Sequence, residues 1–197
     1  MSTRCQVRVI EGQNEDNGEY SQDALLYHHS DGYPDKAVGM IPHFWKAYLF
    51  GVTPYIKPWE KDKKGAKPSD FDQWRAYRAG YAASYLCHVE PRGFSPESVE
   101  LDAKESFLHG DIEWYYKLYV CGKEVKGQKY QEWELEIYKV GYSSPKLVLE
   151  RTPLSKIINK KGFLKAEIYK AIEAKVKALY NSEAEKLAHQ KLLKRIT

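Results

Sequence analysis

The chain has 197 residues, a formal net charge of +4 and 43% hydrophobic residues, a composition typical of one globular domain and not of a disordered chain. It contains no apolar run of transmembrane length, and its first residues lack the apolar stretch of a signal peptide. The three cysteines, Cys5, Cys87 and Cys121, have no paired spacing, which argues against a zinc or redox motif. We therefore expect a cytoplasmic protein with reduced thiols and no membrane contact.

Two predicted strands open the chain and lead into a turn rich in polar groups. Apolar and polar residues alternate over 5–10, and residues 23–29 form a second strand, so the pattern predicts an antiparallel hairpin. Residues 30–34, Ser-Asp-Gly-Tyr-Pro, have the composition of a tight turn, because aspartate bonds to nearby backbone and glycine accepts a positive φ.

The histidine pair that ends the second strand is the first candidate for a functional site. On a strand His28 shares the face of Leu26 and His29 points the other way, so one ring is covered and the other open. A carboxylate at Asp31 would fix the tautomer of a histidine or raise its basicity, as a general base or a metal ligand requires. The candidate catalytic residues are His28, His29, Asp31 and Tyr33. The alternative is structural, with a histidine bonded to a carbonyl and Asp31 bonded to its own turn.

The middle of the chain is predicted to hold two helices and then a strong β signal. Residues 41–50 carry an apolar stripe at helical spacing, and Ser69 caps a second helix with aromatic residues every three or four positions. We expect this second helix to be the central packing element. After an irregular segment, 90–104, strict alternation over 112–120 and 132–137 predicts another antiparallel hairpin.

A second group of polar residues, His109, Asp111 and Glu113, stands at the start of the third predicted strand. Residues two apart on a strand point the same way, so the three would share one face. Imidazole and carboxylate are ligands for iron, manganese or zinc, which makes these residues candidate metal ligands. The alternative is a solvent-facing strand edge. Because this group and the turn after the second strand both lie at strand ends, a composite site of His28 or His29, Asp31, His109 and Asp111 is a further hypothesis.

The C-terminal part of the chain is predicted to be helical and strongly basic. Residues 151–197 contain 12 Lys or Arg against 4 Asp or Glu, a net charge of +8 on a body that is otherwise −4. Thr152-Pro153 opens a brief helix, and a longer one follows, either unbroken to about Arg195 or restarted at Ser182. The charge indicates either a polyanionic partner such as nucleic acid or a well-solvated helical face.

The order of the elements predicts an α+β fold. Strands and helices are segregated along the chain, with a short extra strand at 146–150, so a doubly wound parallel sheet is not expected. We predict a single domain with an antiparallel sheet of about four to five strands backed by helices. Residues 1–151 would form the α+β body, and residues 152–197 a basic helical region packed on the same domain.

Two segments together resemble a known set of sequences. Ser2-Thr-Arg4 and Tyr27-His-His-Ser-Asp-Gly-Tyr-Pro34 resemble a family of bacterial and phage proteins that open with S-T-R and carry a Y-x-H-x-D-G-Y-P segment. Ser30 stands where that family often has an aromatic residue. The resemblance covers about the first 40 residues, with a looser similarity at Asp111–Tyr115. The family has no established activity, so the resemblance implies only a microbial or viral setting and the importance of the turn.

Two classes of function follow. The first is a cytosolic binding or interaction protein for a small ligand or a protein, because the 16 tyrosines require half-buried positions or a groove, placed here beside the turn 28–34. Its binding residues would be Arg4, Tyr27 and Tyr33. The alternative is a small metal-dependent hydrolase using His28 or His29 with Asp31. We favour binding, because the sequence contains no phosphate-loop, dinucleotide, nucleophile-elbow or zincin motif, no complete metal-ligand set, and no feature that requires a cofactor.

Overall fold

The computed structural model describes residues 3–13, 20–35, 38–52, 78–90, 93–97, 111–125, 128–141 and 144–196. Within these ranges there are six strands and four helices: β1 (Cys5–Gln13), β2 (Tyr20–His28), α1 (Met40–Val52), α2 (Ala79–Val89), β3 (Phe94–Glu97), β4 (Trp114–Val125), β5 (Gln128–Val140), β6 (Pro145–Pro153), α3 (Leu154–Ile157) and α4 (Ala166–Ile196). No helix in this part of the chain is both long enough and apolar enough to cross a membrane.

The α+β class is confirmed, but the prediction of an antiparallel sheet with four to five strands is wrong. One mixed sheet contains all six strands in the order β3-β2-β1-β4-β5-β6. Both predicted hairpins, β1–β2 and β4–β5, are present, and they join through their first strands, which run parallel with Cys5 opposite Trp114. A parallel pair requires a long crossover, and the chain between β1 and β4 supplies one that includes α1 and α2.

Strand β3 is the strand that the sequence does not predict. It lies inside the segment 90–104, which the sequence predicts to be irregular. It pairs with the end of β2, with Phe94 opposite His28. Pro96 cannot donate a ladder hydrogen bond, which restricts such a short strand to the edge of a sheet. The prolines make this segment look irregular in the sequence, although proline is compatible with an edge strand.

The core lies between one face of the sheet and helices α1 and α2. On α1, the Phe44 ring meets Tyr116 edge-on at 5.4 Å, and Tyr48 meets Trp133 at 5.6 Å. Each fully buried large apolar side chain stabilises the fold by roughly 1.5–3 kcal/mol. The inward strand residues are Cys5, Val7, Val9, Leu26, Tyr116, Leu118, Val120, Trp133, Leu135 and Ile137.

The described part of helix α2 buries its small residues, and Tyr85 also packs against the core. Ala79, Ala82 and Leu86 are buried, whereas Tyr81 is 42% exposed, because alanines let the helix approach the sheet and α1 closely. The start predicted at Ser69 lies outside the described residues. Glu11 of β1 stabilises the described start, since its carboxylate accepts a hydrogen bond from the Ala79 amide at 3.1 Å and pairs with Arg78.

The C-terminal region follows the predicted order. The strand predicted at 146–150 is present as β6, α3 is a single turn, and α4 is unbroken from Ala166 to Ile196, so no new helix begins at Ser182. Side chains of α4 are described as far as Ser182. Leu164 and Ile172 are buried in the same apolar cluster as the strands, which fixes the first half of α4 against the body.

Candidate ligand-binding site

The turn after β2 is built directly onto the start of β1. The Gly32 amide donates to the Thr3 carbonyl at 2.9 Å, and the buried Tyr116 hydroxyl donates to the Gly32 carbonyl at 2.9 Å. A Cβ at Gly32 would lie 2.8 Å from Cβ of Cys5, closer than packed carbon atoms approach. Asp31 adopts a left-handed φ of 55°, which aspartate tolerates better than most residues. The turn at Gly32 and the start of β1 therefore form one packed unit.

The two adjacent histidines do not belong to one site. His28 is only 3% exposed, and its ring contacts Phe94 edge-on at a centroid distance of 4.6 Å, with His43 at 6.0 Å. His29 is exposed on the other side of the strand, where its Nδ1 lies 3.4 Å from the Tyr27 hydroxyl. The alternation predicted from the strand period is thus confirmed, and it separates the two predicted catalytic rings.

His28 lies in a buried environment that favours the neutral ring. Neither of its nitrogens meets a described group in good hydrogen-bond geometry. Burial first, and then the neighbouring His43, lower the pKa of His28, while Glu90, the Ser30 backbone and Asp31 act in the opposite direction. A Cβ at Gly93 would lie 2.1 Å from the ring Nε2. The ring is therefore packed tightly against the backbone at Gly93.

The predicted metal ligands that the structure describes take part in ion pairs. Asp111 Oδ2 lies 2.6 Å from Nη1 of Arg4, and Glu113 Oε2 lies 3.3 Å from Nζ of Lys139. His109 lies outside the described residues. Within the described ranges, no group of three or more histidine, cysteine, aspartate or glutamate side chains is arranged to hold a metal ion. Arg4, predicted as a binding residue, is engaged by Asp111.

A cavity of about 610 Å³ lies beside Tyr33 and Pro34 of the turn. Its walls come from the turn, from the first residue of β4 and from the first half of α4. Four aromatic side chains and one carboxylate are among the lining residues, which are Tyr33, Pro34, Trp114, Tyr169, Ile172, Glu173, Ala174, Val176, Lys177, Tyr180 and Asn181. Glu173, Lys177 and Tyr180 are exposed and therefore stand at the mouth. The volume falls within the range of small-molecule sites, roughly 300–1,000 Å³.

Of the predicted site residues that the structure describes, Tyr33 alone lines this cavity. Trp114, Tyr169 and Tyr180 also line the cavity and are not among the residues predicted from the sequence. A signal for the last two exists, because they are eleven residues apart, three turns of helix, and so lie on one side of α4 next to the apolar stripe. Trp114 has no such signal, since its alternation in β4 indicates only a core position.

Two of the lining tyrosines, Tyr33 and Tyr169, lie close to carboxylates. Burial raises the pKa of Tyr33, and Asp31 and Asp35 raise it further. Burial also raises the pKa of Tyr169, followed by a hydrogen bond to Glu173 and the charges of Glu173 and Asp35. Both phenols therefore stay neutral at physiological pH and lie in a field of carboxylates.

Lysines dominate the exposed surface of the C-terminal region. The exposed ones with described side chains are Lys156, Lys160, Lys161, Lys170, Lys175 and Lys177. Exposure is what both a solvated helix face and a polyanion-binding face require. Nucleic-acid contact through residues 151–197 therefore stays a prediction.

The fold and the cavity together define an α+β protein with a mixed six-stranded sheet and an aromatic-lined cavity between the sheet and its C-terminal helix. No protein family, no curated protein and no solved structure matches this chain.

Proposed function

We propose that this protein binds a small molecule in the cavity between the turn 29–35, Trp114 and α4. The observation that carries the proposal is the cavity itself, which combines a volume of about 610 Å³ with four aromatic lining residues and polar groups at its mouth. Small-molecule sites share this composition, with apolar and aromatic walls and few polar groups that orient the ligand. The ligand would therefore have an apolar body and one polar or charged group.

The rigidity of the walls supports the same proposal. The carbonyl of Tyr33 accepts hydrogen bonds from the amides of Asp35 and Met40 at 2.9 and 3.0 Å. Trp114 begins a central strand, and Ile172 is 2% exposed in the core. A site whose walls are already ordered costs less conformational entropy on binding.

The hydrolase alternative receives less support. His28 is packed against Phe94, His29 faces the opposite side of the strand, and neither lines the cavity. A general base has to reach the proton that it removes, directly or through one water. We place the binding function in the cytoplasm, in the microbial or viral setting that the resemblance implies. The thiols of Cys5 and Cys87, both free, support a reducing compartment.

The test is a ligand screen read by protein-observed NMR or by quenching of intrinsic fluorescence, followed by a variant that fills the cavity. Ala174 lines the cavity, so Ala174→Phe should weaken the binding of each hit by at least about tenfold, equivalent to about 1.4 kcal/mol. Ala178→Phe is the matched control, because Ala178 is exposed on the same helix and does not line the cavity. Hits that bind both variants equally, or a screen without hits, would contradict the proposal.

A further inference from the structure

The lining residues include aromatic rings and a carboxylate as well as aliphatic side chains. Tyr33, Trp114, Tyr169 and Tyr180 bring four π-systems to one cavity, and Glu173 brings a carboxylate to its mouth. The face of an aromatic ring is negative and attracts cations, most strongly when the ring belongs to tryptophan or tyrosine. Rings and a carboxylate together therefore favour a positively charged ligand over a neutral one.

Carboxylates close to two of the lining phenols point the same way. Asp31, Asp35 and Glu173 all act on the phenols of Tyr33 and Tyr169. The described lining residues themselves include one carboxylate, Glu173, and one basic residue, Lys177. The carboxylates near Tyr33 and Tyr169 add a negative potential there, which attracts cations.

A lysine of the protein itself supplies an independent observation. The ammonium of Lys139 lies 5.0 Å from the centroid of the Trp114 ring and 6.0 Å from that of Tyr180. These distances are within the range of cation–π contacts, about 6 Å. Two of the lining rings thus already contact a cation of the protein, and the charge of that lysine is paired with Glu113 beside the start of β4 at 3.3 Å.

We propose that the ligand of this cavity is an organic cation, a small molecule with a quaternary or substituted ammonium group held by Tyr33, Trp114, Tyr169 and Tyr180 and neutralised by Glu173. This inference rests on the proposed binding function and names its ligand class. The aromatic rings would replace the water around a weakly hydrated ammonium, and Glu173 would compensate its charge without a tight hydrogen bond.

The experiment compares probes of similar shape and different charge by NMR titration of the full chain. Choline and benzyltrimethylammonium are the cations, 3,3-dimethyl-1-butanol is the neutral analogue of choline, and 3,3-dimethylbutanoate is the anion. We expect choline to bind about tenfold more tightly than the alcohol, which corresponds to a partly desolvated cation–π contact. Glu173→Gln should remove most of this preference while leaving the alcohol unaffected.

Two further variants separate a local effect from a general change of charge. Lys177→Gln should strengthen choline binding about threefold, because it removes the positive charge at the mouth. Glu167→Gln is the matched control for Glu173→Gln, since Glu167 is exposed on α4 and does not line the cavity. It should leave choline binding unchanged.

The outcomes distinguish this inference from the binding function on which it rests. If the alcohol binds as well as choline, or the anion binds better, the organic-cation assignment is overturned while the cavity remains a binding site. If neither cation binds, the assignment is overturned as well, and the fragment screen with Ala174→Phe decides the binding function separately.

Discussion

The guanidinium of Arg4 lies 2.6 Å from the carboxylate of Asp111, although 107 residues separate them in the sequence. The pair joins the starts of β1 and β4, the two strands through which the hairpins meet. The Glu113 amide, two residues further on, donates to the Arg4 carbonyl at 3.0 Å. Arg4 and Asp111 are therefore neighbours because the sheet is mixed.

The ion pair itself should contribute little to stability. The two side chains are 34% and 47% exposed, and exposed pairs are worth roughly 0–1 kcal/mol. We expect Asp111→Asn to lower the free energy of unfolding by about 0.5 kcal/mol in low salt and by less in 1 M salt, measured by urea denaturation.

Glu11 forms a more buried ion pair than Asp111 does. Its carboxylate is 7% exposed and holds both Arg78 and the first amide of α2. We expect Glu11→Gln to lower the free energy of unfolding by about 2 kcal/mol, because a buried charge-assisted pair loses one partner's charge. Equal effects of Glu11→Gln and Asp111→Asn would contradict this ranking.

Gly32 should tolerate no side chain. A Cβ there would lie 2.8 Å from both Cβ and the backbone nitrogen of Cys5, and backbone cannot move aside cheaply. We expect Gly32→Ala to cost about 2 kcal/mol of unfolding free energy, as overpacking does. Gly80→Ala is the matched control, because no described atom lies within 4 Å of its Cβ position. That variant should be more stable by about 0.5 kcal/mol, through helix propensity. An unchanged free energy of unfolding in Gly32→Ala would show that the backbone of the turn can shift to accommodate a methyl group.

The sequence predicts the local parts of this fold and not the distant pairings. Alternation with a period of two identifies both hairpins and separates His28 from His29, because it depends on neighbouring residues alone. The parallel pairing of Cys5 with Trp114 depends on the path of the whole crossover, which no local pattern encodes. The cavity is even less predictable from the sequence than the strand pairing. Tyr33, Trp114 and Tyr169 come from three distant segments, and each has an ordinary local explanation as a turn, core or helix residue.

Gly93 and His28 should be energetically coupled. A Cβ at Gly93 would lie 2.1 Å from Nε2 of the His28 ring. We expect Gly93→Ala to destabilise the protein by about 2 kcal/mol, and by much less in a His28→Ala background, where the ring is gone. A double-mutant cycle in urea measures this coupling. Additive effects of the two substitutions would mean that the clash at Gly93 is with the Glu90 side chain, whose Cγ lies 2.9 Å from the same Cβ position.

Stability should fall on mild acidification because of the buried histidines. Burial lowers the pKa of His28 and of His43 in the folded protein, with His43 and Lys46 respectively adding to the effect and Glu90 and Asp31 opposing it. Below the ordinary histidine pKa of about 6.5 the unfolded chain therefore binds more protons than the folded one, so stability rises with pH. The contribution is fully present above pH 6.5 and is lost as the pH falls toward the lowered folded-state pKa.

The pH dependence is measured by urea unfolding at pH 7.5 and pH 5.5. Each histidine contributes at most about 1.4 kcal/mol per pH unit to the slope. His28→Leu should flatten the part of the slope that His28 supplies, because leucine fills the site without titrating. His29→Leu is the matched control for the loss of a neighbouring histidine, since the His29 ring is exposed to solvent. A slope that is the same in wild type and His28→Leu would show that the buried ring accepts its proton without cost, which requires a rearrangement of Phe94 and Gly93 around it.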